Sequence, residues 1–282
     1  MTAGMSAEIL IALSALIVGA SLASAGAVLQ SVLRNPLAEP FMLGIVGGAA
    51  LFAATAMHFG LGSWALVPAF AFAGACFSLA LVCAVALLAS RNGRAFGGET
   101  VILAGFVSGS FTGSLQMVLL SYAKPDTYAK LSKWLFGDLH SARPLSLLVA
   151  AIVGAVAFAI MYSQNRNLNA LALGDESAAS VGVNVKRTVL LTLGAASLAT
   201  AASVAIAGAI GFLGLVVPHF VRRVFGGNHR AYLPLSALFG GVFLIGADWI
   251  GRLFPAGVSA GVVCAVIGSP FFLYLLVLKR RH

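Results

Sequence analysis

This sequence predicts an all-α, polytopic membrane helix bundle of about nine spans, forming one domain over residues 1–282. Three observations carry the prediction. From Pro40 to Ser90 the chain runs 51 residues without Lys, Arg, Asp or Glu, and from Thr188 to Val221 another 34. A bilayer core of about 30 Å needs roughly 20 apolar helical residues, at about 1.5 Å per residue. Charged residues are 9% of the chain, against about 25% in a soluble domain. The longest polar gaps, near 123–143 and 163–187, are too short for an appended globular domain. ATP-driven work by such a chain therefore needs a partner.

The spans read in order as 9–29, 41–58, 65–89, 100–122, 145–162, 188–207, 209–225, 232–250 and 257–278. Met1 to Glu8 has no positive n-region and no cleavage motif, so the first run reads as a span and not a removed signal peptide. Gly60 and Gly62 mark the turn inside the long uncharged run. As one helix the 34-residue run would be about 51 Å long, so it divides near 207–211, where Gly208, Gly211 and Gly214 offer a turn.

Charge supports the division. Nine spans put 12 basic residues on one side and 5 on the other, whereas leaving the run whole gives 10 against 7. The side with 12 holds Arg34, Arg91, Arg94, Arg166, Lys186, Arg187, Arg222, Arg223, Arg230, Lys279, Arg280 and Arg281. Positive residues concentrate in the cytoplasm, so the C-terminus is expected there and the N-terminus outside. The net charge of +9 is thus scattered at span ends and is no nucleic-acid signature. Cys76, Cys83 and Cys264 all fall inside apolar runs and make neither a disulfide nor a metal framework.

The outer loop 123–143 starts a short helix at Pro125, with Asp126 or Thr127 as cap. Leu131, Trp134 and Leu135 fall on one face of it, beside Lys130 and Lys133. It reads as an interfacial helix anchored in lipid by Trp134, or as a platform for an external protein. In the cytoplasmic loop 163–187, Gly174 breaks the chain, Asp175 can cap a helix over Glu176 to Ser180, and Gly182 can end it. Leu171, Leu173 and Val183 are apolar residues in a polar loop, either knobs for a groove on another protein or locally packed. Pro36 and Pro40 force a non-helical stretch in which Arg34 and Glu39 can pair.

A series of motifs then carries a resemblance. They are GAVLQSVLRNPLAEPFMLGIVGGA from Gly26, WLFGDL from Trp134, LNALALGDESAASVGV from Leu168, GAIGFLGLVVPHFVRRVFGGNHRAYLPLSAL from Gly208, ADWIGR from Ala247 and GVVCAVIGSPFFLYLL from Gly261. In this order the sequence resembles the FecCD-type permeases of ABC importers for iron-siderophore, haem and cobalamin, a type II importer architecture. The resemblance covers nearly the whole chain.

It implies a second permease copy as a homodimer, two ATP-binding subunits beneath, and a substrate-binding protein outside. ATP and Mg would sit on the partner subunit, and no cofactor or metal on this chain. It implies a bacterial cytoplasmic (inner) membrane location among lipid, and no nucleic-acid partner. The loop holding Leu171, Leu173, Gly174, Asp175, Glu176, Ser177, Gly182 and Val183 matches the family's ATPase-coupling element. Arg252, in ADWIGR, matches a position that docks the binding protein, with an Asp248 pair four residues earlier as the local alternative. Arg143, Lys130 and Lys133 are further docking candidates. Family members usually carry ten spans, and this chain begins where their second span begins.

Other functions fit less well. An ion-gradient-driven carrier usually keeps ionisable residues at mid-membrane. The eight acids, Glu8, Glu39, Glu99, Asp126, Asp138, Asp175, Glu176 and Asp248, all avoid the centres of the predicted spans. An intramembrane enzyme would need a polar constellation in the bundle, and no HExxH occurs.

Overall fold

A computed structural model describes residues 2–61, 65–90, 98–255 and 257–279. Its regular elements are α1 (Thr2–Val32), α2 (Ile45–His58), α3 (Leu66–Ser90), α4 (Gly98–Ser121), α5 (Pro125–Leu135), α6 (Pro144–Ser163), α7 (Asn165–Leu171), α8 (Asp175–Ser180), α9 (Val185–Ala207), α10 (Leu213–Phe225), α11 (His229–Arg252) and α12 (Ala260–Lys279). Each predicted span contains a helix. Arg91, Arg94, Arg280, Arg281 and the turn residue Gly62 lie outside the described residues.

The helices are unequal in length. Among the described residues, six are long and apolar enough to cross a membrane: α1, α3, α4, α6, α9 and α11. The α2 helix has 14 residues and α10 has 13, about 20 Å each. That is short of a bilayer core of about 30 Å. Helix length alone thus supports six full crossings among the described residues, and the shortness of α2 and α10 has a local cause. Before α2, the prolines keep 33–39 non-helical, a 3₁₀ turn covers Pro40–Leu43, and Gly44 turns at φ 67°. Before α10, the chain leaves α9 at Gly208 (φ 70°) and stays irregular to Phe212 (φ 64°).

These two irregular stretches meet inside the bundle. The Glu39 carboxylate accepts the Phe212 N–H at 3.1 Å, and the Pro40 ring packs on Gly214. The predicted Arg34–Glu39 pair does not form, because Glu39 turns inward while Arg34 reaches α8. Glu39, placed between spans by the sequence, is thereby carried into the bundle. Irregular backbone at membrane depth survives where protein surrounds its polar groups.

Helix α1 lies at the centre, packing on α6, α9, α10 and α11, while α2, α3 and α4 form a second group joined through α9. Small residues allow the close crossings. A Cβ on Gly19 would strike the Gly240 carbonyl on α11, and one on Gly26 would strike the backbone of Gly214. Membrane helices lack a hydrophobic drive to associate, so such backbone approach supplies the packing.

The loops gather at two ends. Arg34, α7, α8, Arg222 and His229 share one end, where Arg34 meets Asp175 and Arg222 meets Ser31. The 3₁₀ turn Leu139–Ser141, the start of α12 and the end of α11 share the other with α5, where Ser259 donates to the Phe136 carbonyl at 2.7 Å.

Candidate coupling loop and docking end

The 163–187 loop folds as two short helices. Helix α7 follows α6 almost directly, and Leu168 and Leu171 anchor it in the core at 0% and 2% exposure. Gly174, at φ 126°, separates α7 from α8 in a backbone region that side chains rarely adopt. Helix α8 starts at Asp175 with Gly174 as its N-cap, one residue earlier than predicted. Asp175 does not cap it, because its carboxylate pairs with the Arg34 guanidinium. Arg34 also donates to the Leu171 carbonyl at 3.3 Å, tying the end of α1 to both short helices. Gly182 turns at φ 85°, and Asn184 caps α9 by accepting the Arg187 N–H at 3.0 Å.

Burial sorts the predicted knobs. Leu171 is buried and Val183 packs partly on the core, so both serve local packing. Leu173 stands out at 79% exposure. Glu176, Ser177 and Gly182 are also exposed. Val181, not singled out in the sequence, is 70% exposed. Its signal was present as an apolar residue beside a loop glycine. The loop thus offers Leu173 and Val181 on a polar surface, carried by α7 and α8.

At the opposite end a cavity of about 540 Å³ lies between the α5–α6 connection and the α11–α12 turn. Lys133, Asp138, His140, Asp248, Arg252 and Ser259 line it. Arg252 pairs with Asp248 within α11, as the local alternative anticipated, and the Asp248 carboxylate is 8% exposed against 39% for Arg252. Lys133 Nζ lies 3.2 Å from Asp138 Oδ2. Burial pushes the Asp138 carboxyl up, but the Ser141 hydroxyl, the His140 amide and the Lys133 ammonium together hold it below the ordinary carboxylate value. Two cations therefore face one cavity, each beside a buried acid. Lys130 and Arg143 are exposed but do not line it.

Helix α5 departs from its reading as a lipid anchor. Leu131 is 1% exposed and Trp134 packs against the core, its carbonyl beside Gly208. Of the aromatics on α5 and its C-cap, Tyr128 and Phe136 are the exposed ones. The helix starts at Pro125, ahead of the expected cap at Asp126 or Thr127; Lys124 is its N-cap and no side chain caps it.

Residues 5–278 match the FecCD transport family. The chain belongs to that family. It is 41% identical to the cobalamin import system permease protein BtuC of Halobacterium salinarum, over 92% of this chain and 69% of the relative. It is 34% identical to the hemin transport system permease protein HmuU of Yersinia pestis, over 96% and 81% of the two chains. It is 37% identical to a siderophore transport system permease protein, YfhA of Bacillus subtilis, over 95% and 80%. Its fold matches an inward-facing structure assigned to a metal-chelate type ABC transporter, with TM-score 0.86, 29% identity, and 95% and 86% of the two chains covered. The chain is a multi-pass membrane permease.

Proposed function

We propose that this chain is the membrane-spanning permease subunit of an ATP-driven importer carrying an iron chelate, haem or cobalamin-like cargo. The observation that carries this reading is the α7–α8 pair, held to the bundle by Leu168, Leu171 and Arg34 while Leu173, Glu176 and Val181 face outward. A loop built that way is stiff where it joins the bundle and apolar where a partner would seat. The partners are two ATP-binding subunits, which hold ATP and Mg, a second permease copy, and an external substrate-binding protein. The last would dock at the cavity lined by Lys133 and Arg252 through acidic side chains of its own.

The energetic requirement on the loop is differential. ATP can drive transport only if the closed and open ATPase dimers favour different permease states through this contact. The membrane is the cytoplasmic one, with the C-terminus inside. The charge bias of 12 against 5 supports that orientation, and so does the gathering of Arg34 and Arg222 at the α7–α8 end. The cargoes for which the relatives are named, cobalamin, hemin and siderophore, share one chemistry, that of a bulky metal chelate.

The test is co-purification of this chain with the ABC-type ATP-binding subunits of the same organism, followed by uptake of cyanocobalamin, haemin and ferrichrome into proteoliposomes. Association with the wild-type chain, lost with Glu176→Arg, is the expected result. A well-inserted chain that binds no ATPase and moves none of the three would overturn the reading.

A further inference from the structure

A chain of side-chain hydrogen bonds, joined at one point by a cation–ring contact, runs from α7 into the bundle. The Asn169 amide oxygen accepts the His229 backbone N–H at 2.9 Å and faces the ring Nδ1 at 2.7 Å. Its amide nitrogen donates to Asn228 Oδ1 at 3.1 Å. Across the ring, Nε2 lies 2.7 Å from the Ser31 hydroxyl near the end of α1. Arg222 on α10 donates to the same hydroxyl at 3.1 Å, and its guanidinium lies 4.9 Å from the centre of the Tyr232 ring. The Tyr232 hydroxyl donates to Gln30 Oε1 at 3.4 Å. Gln30 Nε2 then donates to the Gly214 and Leu215 carbonyls, both at 3.3 Å.

The end of this path has a chemical reason. Within α10 the Gly214 carbonyl would take the N–H of residue 218, but Pro218 has none. Gln30 supplies the missing donor. The same first turn follows Phe212, whose N–H Glu39 holds. The middle of the path is buried, with Asn169 and Arg222 half-exposed at its edge. Gln30, Ser31, His229 and Tyr232 are exposed by 2%, 5%, 1% and 0%. Buried polar groups stay paired or cost stability, so a shift in one member obliges its neighbours to follow.

The centre of the path has two arrangements. With the proton on Nδ1, the His229 ring donates to Asn169 and accepts the Ser31 proton, while Ser31 accepts from Arg222. The Ser31 proton has a second destination in the Ala27 carbonyl, 2.9 Å away. When it goes there, Nε2 keeps a partner only in the other tautomer, in which water takes the proton from Nδ1 and supplies one to Nε2, and Asn169 must then turn its amide nitrogen toward Nδ1. That turn withdraws the acceptor from the His229 N–H. A rotation of one amide on α7 is thus tied to the hydrogen-bond direction at Ser31 on α1, to which Arg222 of α10 donates in both arrangements.

We propose that Asn169, His229, Ser31 and Gln30 are positioning residues of the transport cycle, linking movement of the α7–α8 loop to the start of α10. The proposal rests on the reading of that loop as the ATPase contact. These four residues come from α1, α7 and α11, Arg222 adds α10, and the two ends of the path lie at the exposed loop and at the irregular junction inside the bundle.

The test reads the junction directly. A Cβ on Gly211 would meet only the Phe41 ring, no closer than 3.7 Å, so Gly211→Cys fits. With Cys76, Cys83 and Cys264 replaced by Ala, maleimide labelling of Gly211→Cys is followed in the permease–ATPase complex with and without ATP. ATP is expected to change the labelling rate by roughly threefold or more. Asn169→Ala and Gln30→Met should each abolish that response while the ATPase still co-purifies, and the double variant should do no more than either. Ser14→Ala, another buried hydroxyl on α1, should keep it. An undiminished response in either variant, or independent losses that add, overturns the path. So does an ATP-insensitive Gly211→Cys in the parent, or loss of ATPase binding in Asn169→Ala. A parent chain that binds no ATPase removes the loop reading and the path together, whereas a failed path with a bound ATPase leaves the loop reading standing.

Discussion

The two ends of this bundle handle charge and polarity in opposite ways. At the α7–α8 end, the polar groups behind the loop are buried in a continuous network centred on His229, and the surface offers Leu173 and Val181. At the α5 end, the cations stay exposed, Lys133 at 70% and Arg252 at 39%, while their acids Asp138 and Asp248 are buried. A buried, paired network resists being broken. An exposed cation held by a buried acid is already aimed, and it can meet a second acid without moving far. The first arrangement suits a permanent partner that pushes, and the second suits a visitor that comes and goes.

Three experiments separate the ends, from the largest effect to the smallest. Leu173→Asp puts a charge on the most exposed apolar point of the loop. It is expected to weaken ATPase association about 30-fold, as loss of a central apolar contact does, with little change in binding-protein stimulation. Pull-down titration against the ATPase measures it, and equal loss at both ends would erase the contrast. Arg252→Glu should do the reverse. It leaves two carboxylates facing each other across one turn and is expected to cut binding-protein stimulation of ATP hydrolysis roughly tenfold, chiefly through slower association at low salt. Stimulation that stays at the wild-type level would return Arg252 to a purely intrahelical role.

The third concerns acid. The folded-state value of Asp138 lies below its ordinary value, so its stabilising effect is complete above the unfolded value. It is lost as pH falls through the lower folded value, that is, below about pH 4. The thermal midpoint in detergent should therefore fall more steeply toward acid in the wild type than in Asp138→Asn, whose amide does not titrate. Parallel curves would mean that the Lys133 and Ser141 contacts contribute nothing to the fold of this end.

Much of this was legible in the chain. The long uncharged runs marked where helices would be, and Gly208 with Gly211 marked where the second run breaks. Gly174 and Gly182 bounded α8 to within a residue, because glycine at positive φ leaves a local signal. The motif series carried the family. Less legible were the partners of Arg34, Glu39 and Trp134. Local spacing favoured Arg34 with Glu39 and put Trp134 in lipid, whereas the fold gives Arg34 to Asp175, Glu39 to Phe212 and Trp134 to the core. Those contacts join residues far apart in the chain, and short-range periodicity cannot report them.

Hydropathy and turn chemistry are local properties, so the sequence by itself determined that this is a membrane helix bundle, where its helices lie, and that the 163–187 loop breaks into short helices. Only the tertiary structure decided that α2 and α10 stop short, that Leu171 turns inward while Leu173 and Val181 turn out, and that Asn169 reaches Gly214 through His229, Ser31, Arg222, Tyr232 and Gln30. The reason is physical. A buried polar group must find a partner wherever one lies in space, and its place in the chain does not say where that is.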